Sequence, residues 1–139
     1  MKPLRERRQA VRDILTGLQG ASLDWEKQMD CGVGLAGPVI LAQTGLDIAA
    51  PFRGAYRTPA GALRAIRKAG FETAADVIAA HFREIHPSQA QFGDIAALDG
   101  VDTGIALGVF QQGDRIALFT PSGFGTAPRC FAKRAFRIE

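Results

Sequence analysis

An aspartate–cysteine pair at the start of the longest apolar run constrains this chain more than any other feature. Asp30 and Cys31 stand directly before a mostly apolar run over residues 32–46. Such a run predicts a core helix, and the positive end of a helix dipole favours the thiolate of a cysteine at its N-terminus. The same position also suits a small apolar side chain, which is the commoner role of a free cysteine. Cys31 is therefore either a nucleophile or a core residue.

Glycines and a proline leave two starting points for this helix. It either begins at Cys31 and bends, or it begins near Pro38, because proline is well tolerated in a first helical turn. In the second case Cys31 lies in a glycine-rich loop, where no helix dipole supports its thiolate. Gly45 is predicted to end the helix.

The first two-thirds of the chain predicts helices. Residues 3–19 carry an amphipathic pattern with arginines on the polar faces. Thr58 and Thr73 are predicted N-caps of two further helices, and the second of these is expected to run to about Arg83.

From residue 92 onward the pattern changes to short strands separated by turns. The predicted strands cover residues 93–98, 105–110, 115–120 and 135–138. Asp94, at the start of the first strand, is predicted to anchor backbone amides. Because the helices come first and antiparallel strands follow, we expect an N-terminal amphipathic helix over residues 1–20 and a single α+β domain over residues 21–139.

Composition and charge exclude several classes of protein. The chain has 139 residues, 47% of them hydrophobic, and a net charge of +3, which fits one folded domain and is no nucleic-acid signature by itself. Its two cysteines, Cys31 and Cys130, form no disulfide framework, so we expect reduced thiols, with Cys130 packed. The sequence predicts no signal peptide, no membrane span, no cofactor and no metal site.

Nucleophilic chemistry at Cys31 requires a histidine. Cysteine peptidases pair the thiol with a histidine base, and a third group orients that histidine. The sequence has two histidines, His81 on a predicted helix face and His86 in a predicted loop. Both are candidates for the base, and Asp30 belongs to the candidate site because it directly precedes the cysteine.

Six short segments follow one another in an order that is known from a protein family. They include Asp-Cys-Gly before the apolar helix and Gly-Asp-Ile-Ala-Ala-Leu at the start of the sheet. The segments are residues 25–32, 52–58, 61–71, 93–98, 106–109 and 134–138. In this order the chain resembles the NlpC-type papain-like cysteine peptidases. More closely, it is similar to a phage and prophage family with that fold, whose relatives belong to tail gene clusters, including those of gene transfer agents.

The resemblance places Cys31 in the nucleophile position and requires a histidine at the start of the second strand, in a His-Val-Gly-Ile-like pattern. This sequence has Ala106 at that point, followed by Leu-Gly-Val. Without the base the thiol stays mostly protonated at neutral pH, and the leaving group has no proton donor. Loss of a general base costs about 10²–10⁴-fold in rate, so the resemblance implies a fold that has lost its peptidase activity.

The resemblance therefore implies a structural or assembly component of a phage-type tail, at the tail tip. The expected partners are other tail proteins of the hub or tip, and peptidoglycan is a further candidate. The first helix and the connector over residues 52–57 are candidate contact surfaces. The expected location is the virion tail, after assembly in the host cytoplasm.

Two alternatives remain open at this point. The chain could be an active peptidoglycan-degrading peptidase or amidase, with Cys31 as nucleophile and His86 or His81 recruited from a non-standard position. It could also contact DNA through the arginines of the first helix, although we do not expect nucleic acid as a partner. These arginines are Arg5, Arg7, Arg8 and Arg12.

Overall fold

Four α-helices precede all six strands of the sheet in the part of the chain that the computed structural model describes, residues 3–139. The helices are α1 (Leu4–Gly17), α2 (Gly37–Thr44), α3 (Pro59–Lys68) and α4 (Ala74–Ala79). A π-helical turn, Cys31–Ala36, leads directly into α2. The predicted α+β class is confirmed; Met1 and Lys2 of the predicted 1–20 segment lie outside the described residues.

Both predicted N-caps are confirmed. The Thr58 hydroxyl accepts a hydrogen bond from the Gly61 amide at 3.0 Å. Thr73 and Asp76 form a reciprocal capping box at the start of α4. The predicted end of α4 near Arg83 is wrong, because the chain turns after Ala79 and buries Phe82 in the core.

The strands form one antiparallel sheet in the order β1-β6-β2-β3-β4-β5. The strands are β1 (Glu84–Ile85), β2 (Ile95–Asp99), β3 (Ile105–Phe110), β4 (Arg115–Thr120), β5 (Gly123–Pro128) and β6 (Arg134–Phe136). The sequence analysis missed β1 and β5. Pairing with β6 holds the two residues of β1, and β4 pairs with all six residues of β5.

Side chains of the sheet alternate between two apolar layers. In β2, Ile95 and Ala97 face the helices, and Ala96 and Leu98 face the opposite layer. The first layer also receives Val11 and Leu15 of α1, Leu35 of the π-helical turn, and Val39 and Ile40 of α2. Because this layer holds most of the core, it anchors the π-helical turn, and with it Cys31, against β3. None of the helices within residues 3–139 is long and apolar enough to cross a membrane.

Asp94 ties the end of the chain to the start of β2. Its carboxylate accepts hydrogen bonds from the amides of Gln91 at 2.8 Å and Ile138 at 3.0 Å, and from Nε of Arg137 at 3.0 Å. The predicted anchoring of backbone amides is confirmed. Burial raises the pKa of the Asp94 carboxyl, and the two amides and the Arg137 guanidinium oppose that effect.

Candidate functional site

Cys31 lines a cleft between the turn that precedes it and the β2–β3 loop. The cleft has a cavity volume of about 410 Å³. Ala106, at the start of β3, lines the same cleft, as do Trp25 and Phe119. The residue in the nucleophile position and the residue in the expected base position therefore line the same cleft, but the second is an alanine, which cannot act as a base.

Asp30 caps the π-helical turn that begins at Cys31. Its side chain is 1% exposed. One carboxylate oxygen accepts hydrogen bonds from the amides of Gly32 at 2.9 Å and Val33 at 3.0 Å. The other accepts the hydroxyl of Tyr56 at 2.7 Å. The three donors to this carboxylate, two backbone amides and one hydroxyl, are all uncharged. Asp30 therefore acts as an N-cap that holds the backbone at the start of the helix.

The sequence analysis missed Tyr56 as a site residue. Tyr56 lies in the connector between α2 and α3 and is buried, although the residues beside it are exposed. The signal was a lone aromatic residue in a polar connector, because a tyrosine there buries its ring only if its hydroxyl finds a partner. Burial raises the pKa of Tyr56, and the negative charge of Asp30 adds to this rise.

Gln28 holds the Tyr56 connector against the turn before Cys31. Its side-chain amide donates to the carbonyl of Phe52 at 2.9 Å, and its side-chain oxygen accepts from the amide of Gly54 at 2.8 Å. Gln28 has a positive φ of 55°, which is uncommon for a residue with a side chain. These bonds across 24 and 26 positions of the chain offset that local cost and fix the position of Asp30.

The helix begins at Cys31, which decides between the two predicted starting points. The first turn is π-helical, and the chain continues as α2 from Gly37 without a break. A Cβ atom on Gly34 would lie 2.9 Å from the carbonyl oxygen of Gln28, and one on Gly37 would lie 2.8 Å from Cβ of Ala49. The glycines therefore let the first turn pack closely against neighbouring backbone and side chains.

The surroundings of Cys31 keep its thiol protonated. Burial raises the pKa of Cys31 to about 11, and the carboxylates of Asp30 and Asp102 add to that rise, while a hydrogen bond with the backbone of Leu107 opposes it. The thiolate is the nucleophilic form of cysteine. At neutral pH the thiolate fraction of Cys31 is therefore very small.

Neither candidate histidine lines the Cys31 cleft. His86 lies in a separate groove with Gln89 and Arg137, and its Nδ1 accepts the amide of Ser88 at 3.1 Å. His81 was predicted on a helix face and lies instead in the exposed turn after α4. Of the four candidate site residues, the structure brings together Asp30 and Cys31.

Two further parts of the sequence analysis concern cysteine and metal sites. Cys130 was expected to be packed, and this is wrong, because the residue is exposed in the 3₁₀ turn before β6. Within residues 3–139, no group of three or more histidine, cysteine, aspartate or glutamate side chains is placed to hold a metal ion.

Comparison with known proteins assigns the chain to a family. A family model described as a domain of unknown function, DUF6950, matches residues 3–138. The chain belongs to the DUF6950 family. A search of curated proteins found no match.

Two solved structures share the fold of this DUF6950 chain. The NlpC/p60 domain of the peptidoglycan hydrolase SagA superposes with a TM-score of 0.58 at 16% identity, over 94% of this chain and 97% of that domain. RipD from Mycobacterium tuberculosis, described as a non-catalytic NlpC/p60 domain protein adapted to peptidoglycan binding, superposes with a TM-score of 0.51 at 12% identity, over 96% and 98%. The NlpC-type papain-like fold is confirmed.

Proposed function

We propose that this chain is a non-catalytic NlpC/p60-type domain that serves as a structural or assembly component of a phage-type tail, at the tail tip. The observation that carries the first part is the pairing of Cys31 with Ala106 in one cleft. The thiol pKa of about 11 and the absence of a histidine among the described residues of that cleft leave a nucleophile without a base. In this proposal the cleft binds a ligand without cleaving it.

Peptidoglycan is the ligand that the fold neighbours favour. RipD is described as an NlpC/p60 protein without catalysis that has adapted to peptidoglycan binding. In the present chain the half-buried ring of Trp25 lines the cleft, and so do the mostly buried Phe119 and the small side chain of Ala106. Aromatic side chains supply large contact areas for ligands.

The tail role rests on the resemblance of the ordered segments to phage and prophage proteins. Its contact surfaces would be the exposed arginines of α1, such as Arg5 and Arg12, and the exposed residues Arg53 and Arg57 of the connector. In this proposal the chain folds in the host cytoplasm, joins other tail proteins, and is carried in the virion.

The non-catalytic part is tested with purified cell walls. Neither the native chain nor a Cys31→Ala variant should release soluble fragments, and both should cosediment with the insoluble walls to the same extent. Digestion by the native chain that is lost in Cys31→Ala would instead establish the active peptidase. That alternative is favoured by one observation, the position of Cys31 in an open cleft at a helix start.

The tail part is tested separately, by mass spectrometry of purified particles from a host that carries the gene. The chain should be found at a constant ratio to known tail proteins, and disruption of its gene should give incomplete tails. A chain that is strictly monomeric and absent from particles would contradict the tail role and leave the non-catalytic assignment untouched.

A further inference from the structure

One hydrogen bond joins the two walls of the Cys31 cleft. Nε1 of Trp25 donates to a carboxylate oxygen of Asp102 at 3.1 Å, across 77 positions of the chain. Trp25 lies in the turn that leads into Cys31. Asp102 lies in the loop between β2 and β3, residues 100–104, and both side chains line the cleft. The bond is exposed to solvent and links one wall of the cleft to the other.

The Trp25 side of this bond is firmly held. The carboxylate of Asp24 accepts the amides of Glu26 at 3.1 Å and Lys27 at 3.3 Å, and the backbones of Asp24 and Met29 exchange two hydrogen bonds. The Trp25 ring also lies against the ring of Tyr56, with centroids 6.2 Å apart. Trp25 is therefore a rigid attachment point for the bond to Asp102.

The loop side is held by little else. Inside the loop, the amide of Gly100 donates to the carbonyl of Gly104 at 3.1 Å, and the hydroxyl of Thr103 donates to the carbonyl of Ile105 at 3.0 Å. Val101 is 96% exposed. Within residues 3–139, the bond to Trp25 is the only hydrogen bond that ties residues 100–104 to anything outside the β2–β3 hairpin.

We propose that residues 100–104 form a lid over the cleft and that the Trp25–Asp102 bond is its latch. A single partly exposed hydrogen bond contributes little net free energy, so the latch opens readily. Glycines at both ends of the loop, Gly100 and Gly104, let the backbone change direction, and Gly104 has a φ of +88°. Closed, the lid limits the size of what reaches Cys31. Open, it admits larger groups.

This inference goes beyond the proposed function, because a lid would act in the same way on a binding cleft and on a catalytic one. It also gives Asp102 a steric role, in addition to the effect of its charge on the pKa of Cys31. The two effects of Asp102 on Cys31, steric and electrostatic, must therefore be separated in the test.

The test measures the modification of Cys31 by a small and by a bulky uncharged thiol reagent in a Cys130→Ala background. The small reagent, methyl methanethiosulfonate, forms a methyl disulfide and releases methanesulfinate, and the bulky one, N-(1-pyrenyl)maleimide, adds to the thiolate. The ratio of the two rates cancels the thiolate fraction, so it reports access alone. Trp25→Phe and Asp102→Ala should each raise the bulky-to-small ratio about two- to tenfold, the factor that corresponds to one lost hydrogen bond. The double variant should show no further increase, because either change removes the same bond.

Asp99→Ala is the matched control, since Asp99 is an exposed carboxylate of the same cleft wall that makes no bond to Trp25. Its ratio should equal that of the parent. An unchanged ratio in either latch variant would overturn the proposal, and so would an equal increase in Asp99→Ala. None of these readouts depends on cell-wall digestion or on tail assembly.

Discussion

Two buried aspartates with similar hydrogen-bond roles lie in different electrostatic surroundings. Asp30 is 1% exposed and Asp94 is 3% exposed, and each accepts two backbone amides with its carboxylate. The third hydrogen-bond donor to each carboxylate differs. For Asp94 it is the guanidinium of Arg137, and for Asp30 it is the hydroxyl of Tyr56.

The difference shows what the Cys31 end of the molecule is built to do. At the Asp94 end a positive charge balances the carboxylate, which suits a permanent structural tie. At the Asp30 end no positive charge from residues 3–139 is among the groups that set the pKa of Asp30 or of Cys31. A neighbouring positive charge is one of the features that turn a catalytic thiol into a thiolate. Here it is missing, and burial outweighs the helix start and raises the pKa of Cys31, so this end has the properties of a helix cap rather than of an activated nucleophile.

The largest expected effect is the loss of stability in Asp94→Ala. The change strips the Arg137 guanidinium and two amides of their acceptor at once, and breaking a buried ion pair in this way costs about 3–5 kcal/mol. Urea unfolding followed by circular dichroism measures this loss. The exposed Asp114→Ala serves as control and should stay within about 0.5 kcal/mol of the parent. A loss below about 1 kcal/mol in Asp94→Ala would mean that Arg137 reaches solvent and that the tie is not structural.

The next effect comes from giving the Cys31 end the positive charge that it lacks. Ala106→Arg places a guanidinium in the cleft, and this charge, which persists at the pH where the thiol titrates, should lower the pKa of Cys31 from about 11 by about one unit or more, ~1.4 kcal/mol. The pH dependence of alkylation in a Cys130→Ala background measures it. Gln112→Arg, in the turn at the far end of β3, should leave the profile unchanged. An unshifted profile in Ala106→Arg would show that position 106 is too far from the thiol to support a base.

The smallest effect is a difference in pH dependence between the two aspartates. Burial raises the pKa of both carboxyls above the unfolded value. Each therefore contributes stability that is fully present below the unfolded pKa, about 3.9, and that is lost as the pH rises through the folded pKa. Asp30→Asn and Asp94→Asn keep an acceptor oxygen without titrating, so each should lose less stability than the parent between pH 4 and pH 7.

Urea unfolding at a series of pH values measures these curves. Asp94→Asn should also be less stable than Asp30→Asn at pH 7, because Arg137 then lacks its counter-charge. Curves for both variants that run parallel to that of the parent would contradict the raised pKa values.

Local sequence patterns determined a large part of the fold. Thr58 and Thr73 are caps because a threonine before a helix satisfies free amides whatever the rest of the chain does. Strands β3 and β4 match the predicted residues 105–110 and 115–120 because their apolar runs end at turn residues on both sides. The order of short segments was also enough to identify the NlpC-type fold.

Tertiary structure alone decided the features that depend on partners far away in the chain. Strand β5 contains two glycines and ends on a proline, so its own residues do not favour a strand, and β4 imposes that conformation through pairing. His81 was predicted to lie in α4 but lies beyond its end, because the helix stops early and the chain turns to bury Phe82.

The candidate site divides in the same way. The sequence by itself placed Cys31 directly before an apolar run and Ala106 where the resemblance requires a base, but it left open whether the helix begins at Cys31 or near Pro38. That Asp30 meets Tyr56, that both histidines lie outside the cleft, and that Trp25 reaches Asp102 were decided only when 26 to 77 positions of chain folded together. Local patterns report what a residue prefers, whereas the charge and solvent around a buried group are set by neighbours that no local pattern contains.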